Sequence, residues 1–309
     1  MIAPAPNQII TLQSNMNVSE SLKTLATAKI LSAPVIDPND ENTILTIVSV
    51  VDIMIYLIDA FKKSTAQMKD KTQTAFDLNA ETTRANKSSI GDVIKIIPPH
   101  DKFQSIAKGS TVLDAIKHFA KGAHRCPIID QSHAPKFYSI LSQSAIIAMM
   151  ATTPQALKIL SHIKIGDIQL GTAPVYTVNI GCNTIDAFGM MHEKKISGLA
   201  IVDSENRLVG NISARDLAET TTTGGSKMSK WMNMPLRSYI KQMHDQENDI
   251  RRPAISCSPD TPLSSVIVRL ATNRIHRIYV ADQAQHPLRI ISLRDVLSYI
   301  LKFYNALPK

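Results

Sequence analysis

ATNRIHRIYVADQAQHPLRIISLRDVLSY, residues 271–299, is the stretch from which the fold can be read. It opens as the end of a helix, passes through a basic pair (His276, Arg277) and enters a buried strand at Ile278, Tyr279 and Val280. A turn over Asp282 to Pro287 leads to a return strand over Leu288 to Ser292, and Arg294-Asp295 open a second helix. The phrase recurs. Residues 122–148 read GAHRCPIIDQSHAPKFYSILSQSAIIA, and residues 195–217 read KISGLAIVDSENRLVGNISARDL. A looser copy, KILSAPVIDPNDENTILTIVSVVDIMIYLI, spans residues 29–58. Such internal repetition means one supersecondary unit that cannot bury both faces of its small sheet alone, so copies are expected to pair.

Working outward, the chain divides into four units at 8–65, 90–151, 164–221 and 250–306, each reading strand, helix, strand, strand, helix. Apolar residues recur at helical spacing in the first helix of each unit. They are Leu22, Leu25, Ala26 and Ile30 in the first unit, and Val112, Leu113, Ile116 and Phe119 behind a Ser110-Thr111 cap in the second. Ile185, Phe188 and Met191 follow Asn183-Thr184 in the third, and the fourth helix covers 263–273. The polar run 62–89, rich in Lys, Thr, Ser and Asn, reads as a solvent-exposed connection. Thr152-Thr153-Pro154 marks a break before a bridging helix over 155–161. The segment 219–249, which opens with TTTTGGS, is an insert to which no structure is assigned.

Composition narrows the function classes. The 309 residues are 44% hydrophobic, 19% charged and 5% aromatic, an ordinary globular profile. A formal net charge of +8 suits an anionic partner: nucleotide phosphate, nucleic acid or an acidic protein surface. Nucleic acid is the least favoured of these, because the basic residues are dispersed and aromatics are too few for base-stacking platforms. Three widely spaced cysteines (Cys126, Cys182, Cys257) give neither a zinc ribbon nor a disulfide framework and fit a reducing compartment. The N-terminus lacks the basic and apolar regions of a signal peptide. The apolar run from Ile44 to Ala60 is interrupted by Asp52 and is too short to span a bilayer, so it reads as a strand followed by a helix. A soluble protein of the cytoplasm, and also of the nucleus, is expected, with no membrane partner. Gly224-Gly225-Ser226-Lys227 lacks the frame of a phosphate loop, and His192-Glu193 lacks the second histidine of a zinc-protease helix. No catalytic constellation, metal site or cofactor motif stands out, and an enzyme is not expected.

A second marker accompanies the basic pairs. The step from the last strand into the last helix is Ser/Thr-x-x-Asp in three copies: Ser49 to Asp52, Ser213 to Asp216 and Ser292 to Asp295. The second copy has Ser142 to Ala145, without the carboxylate. An ionised carboxylate in the first turn of a helix can accept two hydrogen bonds from a ribose diol. The helix N-terminus favours an anion, and Arg and protonated His make charge-assisted bonds to phosphate. Ribose reader and phosphate reader would come from different ends of each unit and meet when two units pair. Blander readings stand beside these. The aspartates match the helix dipole, the serines are ordinary caps, and the basic pairs could be a solvated patch.

The repeat resembles the CBS (cystathionine-β-synthase) domain, whose tandem pairs form Bateman modules with ligand clefts between two sheets. The asymmetry among copies resembles the gamma regulatory subunits of AMP-activated protein kinase and their yeast and plant relatives. In those, repeats two and four carry a His-Arg pair, as at His124-Arg125 and His276-Arg277. Repeat three carries Ser and a small residue, as at Ser197-Gly198, and repeat two lacks the aspartate. Leu170-Gly171-Thr172 is similar to the family's lead-in to repeat three, whose threonine contacts nucleotide. The resemblance implies an α/β (α+β) fold of four tandem CBS domains, forming two Bateman modules in a disc-like arrangement. It also implies competition of AMP, ADP and ATP for clefts lined by Asp52, Asp216 and Asp295 with His124, Arg125, His276 and Arg277. Thr172, Ser197, Gly198, Ser213 and Ser292 complete the implied ligand set. The implied partners are a catalytic alpha subunit and a beta scaffold of a kinase of the AMP-activated or sucrose-non-fermenting type, with an energy-sensing role. Two departures weaken phosphate reading in the first module: Leu31 replaces an arginine, and Gln143-Ser144 replace basic residues. The alternative is a stand-alone CBS protein that binds another adenosyl ligand or inhibits a phosphatase.

Overall fold

The computed structural model describes residues 9–67, 87–96, 105–132, 136–216, 231–245 and 254–307. The first unit comprises β1 (Leu12–Gln13), α1 (Val18–Thr27), β2 (Ser32–Asp37), β3 (Asp40–Ser49) and α2 (Val50–Gln67). After α3 (Ile90–Ile96) comes the second: β4 (Ile106–Ala107), α4 (Val112–Ala120), β5 (Arg125–Asp130), β6 (Lys136–Ser142) and α5 (Gln143–Ala151). Helix α6 (Pro154–Leu160) bridges to the third, built from β7 (Thr177–Asn179), α7 (Thr184–Lys194), β8 (Gly198–Val202) and β9 (Leu208–Ser213). Helix α8 (Leu236–Asp245) precedes the fourth: β10 (Ser256–Cys257), α9 (Leu263–Thr272), β11 (Arg277–Ala281), β12 (Pro287–Ser292) and α10 (Leu293–Ala306). Each unit holds one three-stranded sheet, its first strand parallel to the second and the second antiparallel to the third.

Local chemistry explains the elements. Asn17 caps α1 by accepting from Glu20 N, and Thr111 caps α4 in a reciprocal box with Asp114. Pro34 and Pro127 sit inside β2 and β5 but just outside the two residue pairs each strand makes with its parallel neighbour, so no ladder donor is lost there. The run from Ile44 to Ala60 is strand then helix, as its length and Asp52 indicated. Among the described residues no helix is long and apolar enough to cross a membrane.

The repeat holds at the level of single bonds. In each hairpin the first residue of the middle strand pairs with the serine that ends the last: Ser32 with Ser49, Arg125 with Ser142, Gly198 with Ser213, Arg277 with Ser292. One residue earlier, a backbone carbonyl accepts from the N–H that follows that serine. The pairs are Val50 to Leu31 (2.8 Å), Gln143 to His124 (3.5 Å), Ala214 to Ser197 (3.1 Å) and Leu293 to His276 (3.2 Å). Leu31-Ser32, His124-Arg125, Ser197-Gly198 and His276-Arg277 are therefore the same place in four copies.

The helices gather in two cores that cross the order of the repeats. Units one and three share one, which includes Leu22, Leu25, Ile53, Phe188, Met191 and Ile212. Units two and four share the other, which includes Ile116, Phe119, Ile146, Val266, Ile278 and Val296. Consecutive units are tied differently, by lead-in segments that pack on their neighbour. Helix α3, ahead of unit two, buries Ile90 and Val93 in the core of unit one, with Ile90 N donating to Met16 O and Gly91 N to Ser14 O, both at 2.8 Å. The lead-in to unit three docks on unit four through Gly166 N to Pro259 O and Leu263 N to Ile163 O, both 2.8 Å.

The lead-in to unit four docks on unit three, and it revises the reading of residues 219–249 as an insert. Trp231, Met232, Met234, Leu236 and Tyr239 are buried in the first core, and Thr184 Oγ1 donates to Met234 O at 3.0 Å. An apolar lead-in needs a neighbour to cover it, and the face of α7 supplies one. The TTTTGGS run lies outside the described residues. The polar connection expected from residue 62 is also revised at its start, because α2 continues to Gln67.

Candidate functional site

Antiparallel pairing corrects one expectation at once. Because Arg277 pairs with Ser292 and Arg125 with Ser142, the basic pair and the Ser-x-x-Asp step lie at the same end of each hairpin, not at different ends. Unit four thus presents its basic pair and its Ser-x-x-Asp step at one end of a single hairpin.

The Ser-x-x-Asp steps are helix caps in every copy. Asp52 Oδ2 accepts from Ser49 N (2.7 Å) and Ser49 Oγ (2.6 Å). Asp216 Oδ2 accepts from Ser213 N (2.6 Å) and Oγ (2.9 Å), and Asp295 Oδ2 from Ser292 N and Oγ, both 2.7 Å. The same box forms at Ser89-Asp92 and Thr111-Asp114, neither of which was singled out as a site. Capping therefore accounts for the serines. What separates the copies is the other carboxylate oxygen. Asp92 Oδ1 takes Lys95 Nζ at 2.9 Å and Asp114 Oδ1 takes Lys117 Nζ at 3.1 Å. Asp216 and Asp295 have no lysine three residues on, and their Oδ1 atoms have no hydrogen-bond partner among the described residues. Burial raises the Asp216 carboxyl above its usual range against the pull of the Ser213 donors, and Tyr239 Oη closes over its backbone carbonyl at 3.0 Å.

The basic residues of three units converge. His276 is pushed down to about 4 by burial and then by the charges of Arg215, Arg277, Arg125 and His124. Burial lowers Arg277 as well and brings Arg125 down to about 10. Neither Arg125 nor His276 has a side-chain hydrogen bond or ion pair among the described residues. A half-buried guanidinium such as Arg125 without a counter-charge is costly, and an anion placed beside it would relieve that cost and favour protonation of His276. Arg215 was missed by sequence reasoning, although it stands beside Asp216 in the repeated phrase.

Ser197 and Gly198 serve Arg277. Its Nη2 donates to Ser197 Oγ at 2.6 Å across 80 residues of chain, and a side chain on Gly198 would overlap the guanidinium. The small pair in unit three is thus the seat on which the Arg277 guanidinium of unit four rests. Thr172 is exposed, and its backbone pairs both ways with Ile290, N to O at 2.9 Å and O from N at 3.0 Å. Gly171, at φ +94°, makes that approach possible, because a Cβ there would stand 2.5 Å from Ile290 O. Arg289 Nη1 fixes the same turn by donating to Gln169 O and Gly171 O. The second module therefore brings together Thr172, Ser197, Gly198, Ser213, Asp216, His276, Arg277, Ser292 and Asp295. His124 and Arg125 reach its edge from unit two, while Asp52 repeats the box in unit one.

Residues 165–221 and 248–302 match the family model of the CBS domain. The chain is 23% identical over 307 residues to the 5'-AMP-activated protein kinase subunit gamma of Dictyostelium discoideum, covering 97% of this chain and 50% of that protein. It is 26% identical over 300 residues to Protein SDS23 of Meyerozyma guilliermondii, covering 91% and 56%. The chain thus spans about half the length of these curated relatives. Among solved structures, protein MJ1225 of Methanocaldococcus jannaschii, a proposed archaeal homolog of γ-AMPK, shares the fold with a TM-score of 0.71. That match covers 97% of this chain and 98% of the other, at 19% identity. Residues 165–221 and 248–302 thus carry the match to the CBS domain, the two earlier units repeat the same three-stranded sheet, and the chain as a whole resembles the gamma subunit of AMP-activated protein kinase.

Proposed function

We propose that this chain is a regulatory subunit that binds adenine nucleotides, with its second module as the principal cleft. The observation that carries the reading is the meeting of two kinds of group at one edge. Cations from units two, three and four converge where Asp216 and Asp295 each keep one carboxylate oxygen outside the helix cap. Phosphates suit the first kind and a ribose diol suits the second. The likeness to gamma subunits supports the finer reading: AMP, ADP and ATP compete for the clefts, and the chain reports the outcome to a kinase alpha subunit and a beta scaffold. Such regulation requires the partner to differ in affinity between the AMP-bound and ATP-bound states. The likeness to Protein SDS23 is of the same order, which supports as second reading a CBS protein outside a kinase complex, with another adenosyl ligand or a phosphatase as its target. Co-purification with or without a kinase separates the two.

Titration calorimetry of the purified protein with AMP and with ATP tests the binding. Asp216→Ala combined with Asp295→Ala is expected to abolish it. Asp92→Ala is the control. It loses the same kind of cap, worth about 1 kcal/mol, and is expected to bind as wild type does. No binding by the wild type, or binding indifferent to the double substitution, would sink the proposal.

A further inference from the structure

Tyr279 stands two residues after Arg277 on β11, on the same face of the sheet. It is 2% exposed, and its hydroxyl has no hydrogen-bond partner, alone in this among the buried side-chain N and O atoms of the described residues. An unmet buried hydroxyl destabilises a fold, and phenylalanine would give the same packing without that cost. The other three copies show that the position does not require a large side chain. By register its equivalents are Pro34, Pro127 and Ala200, all small and apolar. The phenol is therefore an addition peculiar to the unit that also carries Arg277 and Asp295. Its charge state is felt by Arg277 and Asp216, which places it beside both readers of the second module.

We propose that the Tyr279 hydroxyl is a further ligand-reading group of this cleft, hydrogen-bonded to the nucleoside part of the bound nucleotide; the proposal rests on the nucleotide reading above. Burial pushes the phenol up to about 12, so it works as a neutral donor and acceptor. A neutral hydroxyl suits a sugar hydroxyl or a ring nitrogen, while the phosphate charge is met by Arg277, Arg125 and His276.

The test is Tyr279→Phe, with Tyr279→Leu measured beside it, by thermal melting without ligand and by calorimetry with AMP and with inorganic pyrophosphate. Tyr279→Phe is expected to melt no lower than wild type, since it removes an unmet polar group. It is expected to bind AMP about fivefold more weakly or worse, the size of one net hydrogen bond, and to bind pyrophosphate unchanged. Tyr279→Leu should show the same split between the two ligands. Unchanged AMP affinity in both variants would overturn the assignment, as would an equal loss for AMP and pyrophosphate. A wild type that binds no AMP overturns the nucleotide reading and this inference together. A wild type that binds AMP through Asp216 and Asp295 but ignores Tyr279 overturns this inference alone.

Discussion

His276 shows how one residue can make this protein sensitive to pH. Three guanidiniums and a second imidazole act on a ring already removed from water, so it stays neutral down to about pH 4. In the unfolded chain the ring titrates near its ordinary value of about 6.5. Between those values the unfolded state holds the extra proton, so stability falls as pH drops from 6.5 toward 4. Urea melts at pH 5 and pH 7.5 should show that loss, and His276→Phe should flatten it. A bound phosphate would reverse the bias, so nucleotide binding near pH 6 should take up protons, which calorimetry in buffers of different ionisation enthalpy would detect. The basic pairs and the three aspartates were legible because they recur in register. Arg215 and Tyr279 were not: Tyr279 occurs in a single copy, the arginine before the aspartate recurs only as Arg294, and each acquires its neighbours only when the chain folds.

At the scale of elements, units three and four meet where the Arg277 guanidinium of β11 lies against Ser197 and Gly198 at the start of β8. Gly198→Ala fills the space where that group lies, so Arg277 must leave and Ser197 loses its bond. We expect a loss of about 1–3 kcal/mol, typical of overpacking, together with weakened phosphate binding. Adding Arg277→Ala should restore much of the stability and none of the binding; both are read by melting and calorimetry. The hairpins were readable from alternation and turn residues. The extension of α2 past Phe61 was not, since Lys62, Lys63, Ser64 and Thr65 carry no apolar period. The Ser-x-x-Asp steps were overread in one respect. The motif is first a cap, five times over, and the missing lysine at the third following residue sets Asp52, Asp216 and Asp295 apart from Asp92 and Asp114.

For the molecule as a whole, the crossed cores decide what counts as a part. Unit two places its lead-in on unit one, and units three and four exchange theirs, yet each helix core is completed by a unit from the other pair. Cutting between residues 160 and 161 would expose half of each core. Each half alone is expected to self-associate or precipitate, and the two co-expressed to elute together at the size of the intact chain, as size-exclusion chromatography would show. Sequence patterning could not foresee this pairing. An apolar helix face announces that it must be covered but does not name the helix that covers it.

The segment once read as an insert carries the only tryptophan in the chain. Trp231 is 5% exposed, in the core where units one and three meet, so all indole emission arises at the junction between the two modules. The protein thus contains its own optical reporter of that seam. A red shift on adding a ligand would mark the modules parting, with no label attached.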